Sequence, residues 1–80
     1  MACYSIYLYD KDNDDLRDVL VVSTEEQART IAEALAVLIK KDMIVNRFKT
    51  RPNEVEPFDW VEITRFDENG HERIAVYPEK

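Results

Sequence analysis

The stretch STEEQARTIAEALAVLIKK, residues Ser23–Lys41, decides the fold because it is the longest segment with the apolar spacing of an α-helix. Ser23 or Thr24 is placed to cap the first free backbone N–H groups, and Glu26 or Gln27 follows three residues later. Apolar residues then recur at intervals of three and four, as one buried stripe requires. The predicted stripe consists of Ala28, Ile31, Ala32, Leu35, Leu38 and Ile39.

The segments before this helix predict a β-hairpin. Residues 3–9 alternate as a strand does, with Tyr4, Ile6 and Leu8 on one side. A polar, acidic run follows and is typical of a turn. Val19–Val22 is a continuous apolar run. We expect it to form a strand that is buried on both faces or lies at the centre of the sheet.

The segment after the helix is ambiguous. Residues 43–50 fit either an irregular crossing or a short edge strand, and the basic residues in this region favour the edge strand, since such residues discourage further pairing. Residues 52–59 begin with Pro52 and contain Pro57, and we expect them to form a loop.

The end of the chain predicts a second hairpin, with strands at Trp60–Phe66 and Glu72–Tyr77. Asn69-Gly70 alone would suggest a two-residue turn, but we favour a four-residue loop over residues 67–70 because of the pairs that it creates. The expected pairs are Val61 with Val76, Ile63 with Ile74, and Arg65 with Glu72.

Hairpins on both sides of one amphipathic helix predict an α+β fold with two layers. The sheet is mainly antiparallel, follows the order β-β-α-(β)-β-β and packs on the one long helix. A chain of 80 residues holds one hydrophobic core, so residues 1–80 are expected to form a single domain.

The net charge of −6 is unevenly distributed along the chain. Residues 1–39 and 54–80 each sum to −5, whereas residues 40–53 sum to +4. Acidic charge repels phosphate backbones and membranes, so we expect a protein partner with a basic surface rather than nucleic acid or a membrane. Cys3 is the only cysteine, and no signal peptide or membrane-spanning run is evident; both observations favour a cytoplasmic protein.

No motif in the sequence predicts catalysis, a metal or a cofactor. Residues 10–15 resemble the start of a calcium loop, but Asp15 occupies the glycine position and Val21 that of the bidentate glutamate. His71 is the only histidine and has no recognisable triad partner, and one glycine cannot build a phosphate-binding loop. We therefore expect a protein that is not an enzyme.

The side of the sheet away from the helix carries the main functional hypothesis. Five aromatic side chains are expected there, which is more than a solvated face needs. Either they form a contact surface, or Trp60 and Phe66 at the strand ends fold back over the edge of the sheet, or residues 43–59 cover the face. With the acidic loop and Glu62, the predicted partner-binding set is Tyr7, Tyr9, Asp10, Asp12, Asp14, Asp15, Trp60, Glu62, Phe66 and Tyr77.

These features predict a small acidic protein-interaction module that blocks a basic or nucleic-acid-binding surface of its partner. In its length, its acidity and its helix between hairpins, the chain resembles small phage-encoded inhibitors of host machinery, including anti-CRISPR proteins. One alternative hypothesis is a self-associating subunit, a homodimer through the aromatic face. The other is a nucleic-acid-binding regulator that acts through the basic 40–51 segment: Lys40, Lys41, Arg47, Lys49 and Arg51.

Overall fold

A computed structural model of the chain describes residues 1–78 and confirms the predicted two-layer α+β fold. A four-stranded antiparallel sheet has the order β2-β1-β5-β6, and β3 and β4 form a separate two-stranded ribbon. The single helix, α1, packs against the four-stranded sheet. The elements are β1 Cys3–Asp10, β2 Asp15–Val22, α1 Glu25–Lys40, β3 Val45–Phe48, β4 Arg51–Pro57, β5 Trp60–Asp67 and β6 Gly70–Tyr77.

The helix begins where the capping residues predicted it. Thr24 is the cap: its backbone is extended, and its Oγ1 accepts a hydrogen bond from the backbone N–H of Gln27 at 3.2 Å. Glu25 and Arg29 form an ion pair of 2.8 Å one turn apart. Ala28 and Ala32 are fully buried, and their small side chains let the helix lie close to the sheet.

The core lies between this helix and the two central strands, β1 and β5. Its fully buried sheet residues are Ile6, Val61 and Ile63, and they meet Ala28 and Ala32 of α1. The side of the sheet that carries these residues is called the core face below. Half-buried apolar residues surround this centre, among them the predicted Tyr4, Leu8, Ile31, Leu35 and Ile39. The alternation predicted for β1 is thus confirmed.

The prediction that Val19–Val22 is central or buried on both faces is wrong. These residues belong to β2, which pairs with β1 on one side only and forms an edge of the sheet. Val19, Leu20 and Val21 are exposed. An apolar, β-branched run favours a strand but does not determine the position of that strand in the sheet, because tertiary pairing decides it.

The register of the last hairpin differs from the prediction beyond its first three pairs. The predicted four-residue loop is wrong, because Asp67 pairs with Gly70 and only residues 68 and 69 form the turn. Arg65 pairs with Glu72 as predicted. An irregularity next to Ile63 then inserts one extra residue into β6, so that Ile63 pairs with Ala75 instead of Ile74. A single extra residue moves the following side chains to the opposite face. Val61 therefore pairs with Tyr77, not with Val76.

The ribbon replaces the loop that we expected at residues 52–59. β3 is the short strand favoured by the sequence, but β4 spans Arg51–Pro57 and pairs with it. Both strands of a two-stranded ribbon are edges, and prolines are tolerated there because the missing N–H need not bond a neighbour. The pairing also skips residues between Val55 and Arg51, which accommodates Pro52.

Asn46 anchors the ribbon to the turn between β1 and β2. This residue of β3 is 2% exposed, and its Nδ2 donates to Oδ2 of Asp10 and to Oδ2 of Asp15, each at 3.0 Å. Phe48 lies beneath the guanidinium groups of Arg17 and Arg51, with 4.5 Å from the Arg51 Cζ to the ring centroid. Strand alternation puts Asp10, Asp15 and Arg17 on the core face, so the ribbon lies on that side, beyond the helix.

Candidate functional site

The side of the sheet opposite the helix forms the candidate site. Strand alternation directs odd-numbered residues of β1 and even-numbered residues of β5 to this side. Neither the helix nor the ribbon covers it, since both lie on the core face. The expectation that residues 43–59 cover the aromatic side chains is therefore wrong. This surface is called the open face below and carries Tyr7, Tyr9, Trp60, Glu62 and Phe66.

A connected row of side chains occupies one end of the open face. The rings of Tyr9 and Trp60 lie 4.8 Å apart between centroids and are tilted by 32°. Trp60 Nε1 donates to Oε1 of Glu62 at 2.9 Å, and Arg73 of β6 donates to the same oxygen at 3.1 Å. The Glu62 side chain is 13% exposed. These contacts hold the indole and the carboxylate in fixed positions relative to each other.

The other end of the open face carries a second aromatic pair. Phe66 stacks on His71 across the hairpin, with 5.3 Å between ring centroids. Ser5 and Thr64 lie opposite each other between the two aromatic ends and are buried by their neighbours. The open face thus has large rings at both ends and small hydroxyl residues at its centre, which makes a shallow, mainly aromatic surface.

The turn between β1 and β2 borders the open face through Asp14. The Tyr9 hydroxyl donates a hydrogen bond to Oδ1 of Asp14, and this bond raises the pKa of Tyr9 above its ordinary value, with smaller contributions from burial and from nearby carboxylates. Asp14 has a positive φ of 48°. The tight turn therefore places a carboxylate beside an aromatic ring.

Two of the four aspartates predicted to bind a partner serve an internal role instead. Asp10 is 1% exposed and accepts hydrogen bonds from Asn13 and Asn46. Burial by itself raises the pKa of Asp10, but the bonds from Asn46 and Asn13 outweigh that effect, and the pKa lies below its usual value. Asp15 also has a lowered pKa, because of its bonds from Asn46 and then Arg17. Only Asp12 and Asp14 of the predicted loop residues are exposed.

Tyr77 does not belong to the open face, contrary to the prediction. The extra residue in β6 turns its ring to the core face, where it packs at the edge of the core. The Tyr77 hydroxyl accepts a hydrogen bond of 2.9 Å from Nη1 of Arg29 on the helix. The bonds with Glu25 and Tyr77 raise the pKa of Arg29. Val76 instead lies on the open face, opposite Glu62.

The five basic residues of the 40–51 segment fall into two groups. Lys40 and Lys41 lie at the end of the helix, whereas Arg47, Lys49 and Arg51 lie on the ribbon. Nucleic-acid binding through them would require the acidic loop to point away. Arg51 instead donates to Asn13 of that loop at 3.3 Å and forms an ion pair with Glu54. The acidic turn therefore lies directly beside the basic ribbon.

The sequence interpretation missed the contribution of β2 and β6 to the open face. Leu16, Asp18 and Val21 of β2 lie opposite Tyr9, Tyr7 and Ser5, and therefore share their side of the sheet. The apolar run in β2 could have indicated this contribution. It was missed because the strand was predicted to lie at the centre of the sheet, where its side chains would be buried. Arg73 of β6, which bonds Glu62 and lies opposite Thr64, was absent from the predicted set.

The described residues, 1–78, contain no group of three or more histidine, cysteine, aspartate or glutamate side chains arranged to hold a metal ion. Within the same range, α1 is not long and apolar enough to cross a membrane. Comparison of the chain with protein-family models, with curated proteins and with solved structures found no match.

Proposed function

We propose that this chain is a non-enzymatic protein-interaction module that binds a basic surface of a partner protein through its open face. The observation that carries the proposal is the uncovered aromatic surface, with Tyr9 stacked on Trp60 at one end and Phe66 on His71 at the other. Aromatic residues are enriched at protein interfaces because they bury a large area at a low cost in conformational entropy.

The distribution of charge supports a basic partner. Asp12, Asp14 and Asp18 are exposed near the open face, and the chain as a whole carries −6. Opposite charge on the partner accelerates association through long-range attraction, and the effect weakens as salt rises. The proposed complex therefore forms fast at low ionic strength and slowly at high ionic strength.

Binding of this kind blocks whatever else the basic surface of the partner would bind. A basic protein groove that normally holds nucleic acid is complementary to an acidic surface that carries aromatic rings. We therefore propose the finer role of an inhibitor, in the manner of the small phage-encoded inhibitors that the chain resembles. The open face and the acidic charge support the binding step. The activity that is blocked is whatever the basic surface of the partner carries out.

Site-specific photo-cross-linking tests the proposal. A photoreactive amino acid replaces Tyr7 on the open face or, as a matched control, the exposed Val37 on the helix. Each protein is cross-linked in nuclease-treated lysate, and the captured partner is purified and bound again in isolation. We expect a basic protein cross-linked from position 7 but not from position 37. Equal cross-linking from both positions, or a protein cross-linked from position 37 and none from position 7, would contradict the proposal.

A charge-matched pair of variants tests the electrostatic part. Asp12→Lys combined with Asp14→Asn changes the rim of the open face, and Glu33→Lys combined with Glu26→Gln gives the same change in net charge on the helix. With the purified partner at low salt, we expect the first pair to slow association about tenfold and the second to have a much smaller effect. Equal effects would show that only the total charge matters.

The nucleic-acid alternative remains a second proposal, carried by the basic side chains around Phe48 on the ribbon. Arg47→Glu and Lys49→Glu would then abolish binding to a single-stranded oligonucleotide while leaving the open face intact. Loss of oligonucleotide binding in these ribbon variants, with cross-linking from position 7 unchanged, distinguishes this proposal from docking through the open face. Cross-linking of position 7 to a second copy of the chain would instead support the self-associating subunit.

A further inference from the structure

We propose that β2 binds an extended segment of the partner as an additional strand of the sheet, and that this segment carries a basic residue between apolar residues. The inference rests on the proposed function and specifies how the partner is held. Strand addition at an exposed sheet edge takes its affinity from main-chain hydrogen bonds and its specificity from alternate side chains.

β2 has the free backbone that strand addition requires. It spans eight residues and pairs only with β1, so its other side presents N–H and C=O groups without a neighbouring strand among the described residues. The opposite edge of the sheet, β6, is protected differently, because the exposed His71, Glu72 and Arg73 place polar and charged side chains along its first half. Charged residues at an edge discourage pairing. The first half of β2 is charged as well, with Asp15, Arg17 and Asp18, but residues 19–22 are all apolar, so the second half of β2 is the more accessible edge.

The side chains of β2 are unusually apolar for an edge. Leu16 is 47% exposed, Leu20 40% and Val21 60%, and Val19 is exposed as well. Single exposed apolar residues are common, but four on one edge strand form a patch that a partner strand would remove from water. On the core side, Leu20 pairs with the buried Ile6, so the patch continues the core towards the edge.

Asp18 gives the chemistry of the incoming strand. It is exposed, lies opposite Tyr7 on the open face, and makes no hydrogen bond or ion pair through its side chain within residues 1–78. Apolar residues, Leu16 and Val21, lie on either side of it on the same face. A cross-strand lysine or arginine would pair with Asp18 while its neighbours cover the apolar residues.

The edge and the open face form one continuous surface. Leu16 adjoins Tyr9, Asp18 adjoins Tyr7 and Val21 adjoins Ser5 across the β1–β2 pairing. A strand added to β2 would therefore extend the open face, and the body of the same partner would cover the aromatic rings. A second copy of the chain is a poorer occupant, because two chains of net charge −6 repel each other.

A designed peptide provides the direct test. The probe is an eight-residue peptide, equal in length to β2, in which valine and threonine alternate and one central position is lysine. One control peptide has glutamate in place of lysine, and another has a central proline. Binding is followed by amide hydrogen exchange and by NMR. We expect the lysine peptide to slow exchange at β2 amides, the proline peptide not to bind, and the glutamate peptide to bind about fivefold more weakly.

Variants of the protein make the test reciprocal. Asp18→Lys should weaken binding of the lysine peptide and strengthen binding of the glutamate peptide, each by about fivefold. Val21→Lys should abolish strand addition, whereas Val37→Lys on the helix, a matched exposed position, should leave it unchanged. Both valines are exposed, so neither change threatens the fold.

Three outcomes would overturn the inference. The first is no binding of the lysine peptide, and the second is binding that slows amide exchange in β6 or at no amide of β2. The third is exchange at β2 amides that slows as the protein concentration rises without peptide. The last would identify a second copy as the occupant. The proposed function fails separately. If the partner cross-links from position 7 and tolerates Val21→Lys, the open face is the binding site and the β2 edge is not. If Val21→Lys abolishes binding and no cross-link forms from position 7, the β2 edge is the binding site and the open face is not.

Discussion

Asn46 lies within hydrogen-bond distance of Asp10, a residue 36 positions earlier, and the two side chains are nearly completely buried together. The same Nδ2 also donates to Asp15, so one amide joins the β3–β4 ribbon to both ends of the β1–β2 turn. The bond satisfies a carboxylate that would otherwise be buried with fewer donors. This polar contact, together with the contact between Phe48 and Arg17, fixes the ribbon beside the sheet.

Removing this amide should destabilise the protein. We expect Asn46→Ala to lower the free energy of unfolding by about 2 kcal/mol, because the buried carboxylate of Asp10 loses a donor. Asn53→Ala, at an exposed position of the ribbon, serves as control and should change it by less than about 0.5 kcal/mol. Urea denaturation measures both. Equal values for the two variants would show that the Asn46 bonds contribute nothing.

Acid should weaken the same cluster. The pKa values of Asp10 and Asp15 are lowered in the folded protein from the ordinary 3.8. Groups with depressed folded pKa values stabilise the protein above the unfolded pKa, and this contribution is lost as pH falls through the folded values. We expect the free energy of unfolding to decrease as pH falls below about 4. Asn46→Ala should flatten this decrease, and an unchanged pH profile would contradict the assignment.

Tyr9 should ionise above the ordinary pKa of a tyrosine hydroxyl. Its hydroxyl donates to Asp14, and that bond favours the protonated form. We expect the near-ultraviolet titration of the protein to contain one component above the ordinary value of 10.0 that disappears in Tyr9→Phe. Asp14→Asn should move this component towards the ordinary value, whereas Asp12→Asn should move it less. The raised pKa means that any stability from this bond is complete below pH 10 and is lost above it.

The two candidate caps of the helix should differ in their effect on stability. Thr24 accepts the backbone N–H of Gln27, whereas the Ser23 hydroxyl contacts only the Gln27 side chain at 3.3 Å. We expect Thr24→Ala to lower the free energy of unfolding by about 1 kcal/mol and Ser23→Ala by much less. Thermal and chemical denaturation of both variants would measure the difference. A larger loss of stability in Ser23→Ala than in Thr24→Ala would identify Ser23 as the cap.

The sequence predicted correctly those elements that are specified by a short stretch of neighbouring residues. The helix follows from its cap and stripe, and β1 from strict alternation that places Ile6 in the core. The position of β2 at an edge could not be predicted, because the same apolar run suits a central strand. The extra residue near Ile74, which turns Tyr77 inward, left no mark in the sequence either. β4 was missed because its prolines suggest a loop, and only pairing with β3 reveals a strand.

The candidate site shows the same division. Tyr7, Tyr9, Trp60 and Phe66 were assigned to one side from alternation alone, and the structure places them there. Asp10 and Asp15 were expected on the surface because they lie in a polar run. Their burial depends on Asn46, which is distant in sequence, and no local pattern announces that contact.

Because side chains alternate along β1 and β5, the residues that hold the fold and the residues that form the open face are separate sets on the same two strands. Ile6, Val61 and Ile63 face the helix and hold the fold, while Tyr7 and Trp60, their immediate neighbours, face the opposite side. The aromatic residues of the open face can therefore change without altering the contacts between these core residues and the helix. A lineage whose partner changes its surface has a ready route to follow it, since new recognition arises from substitutions that leave folding intact.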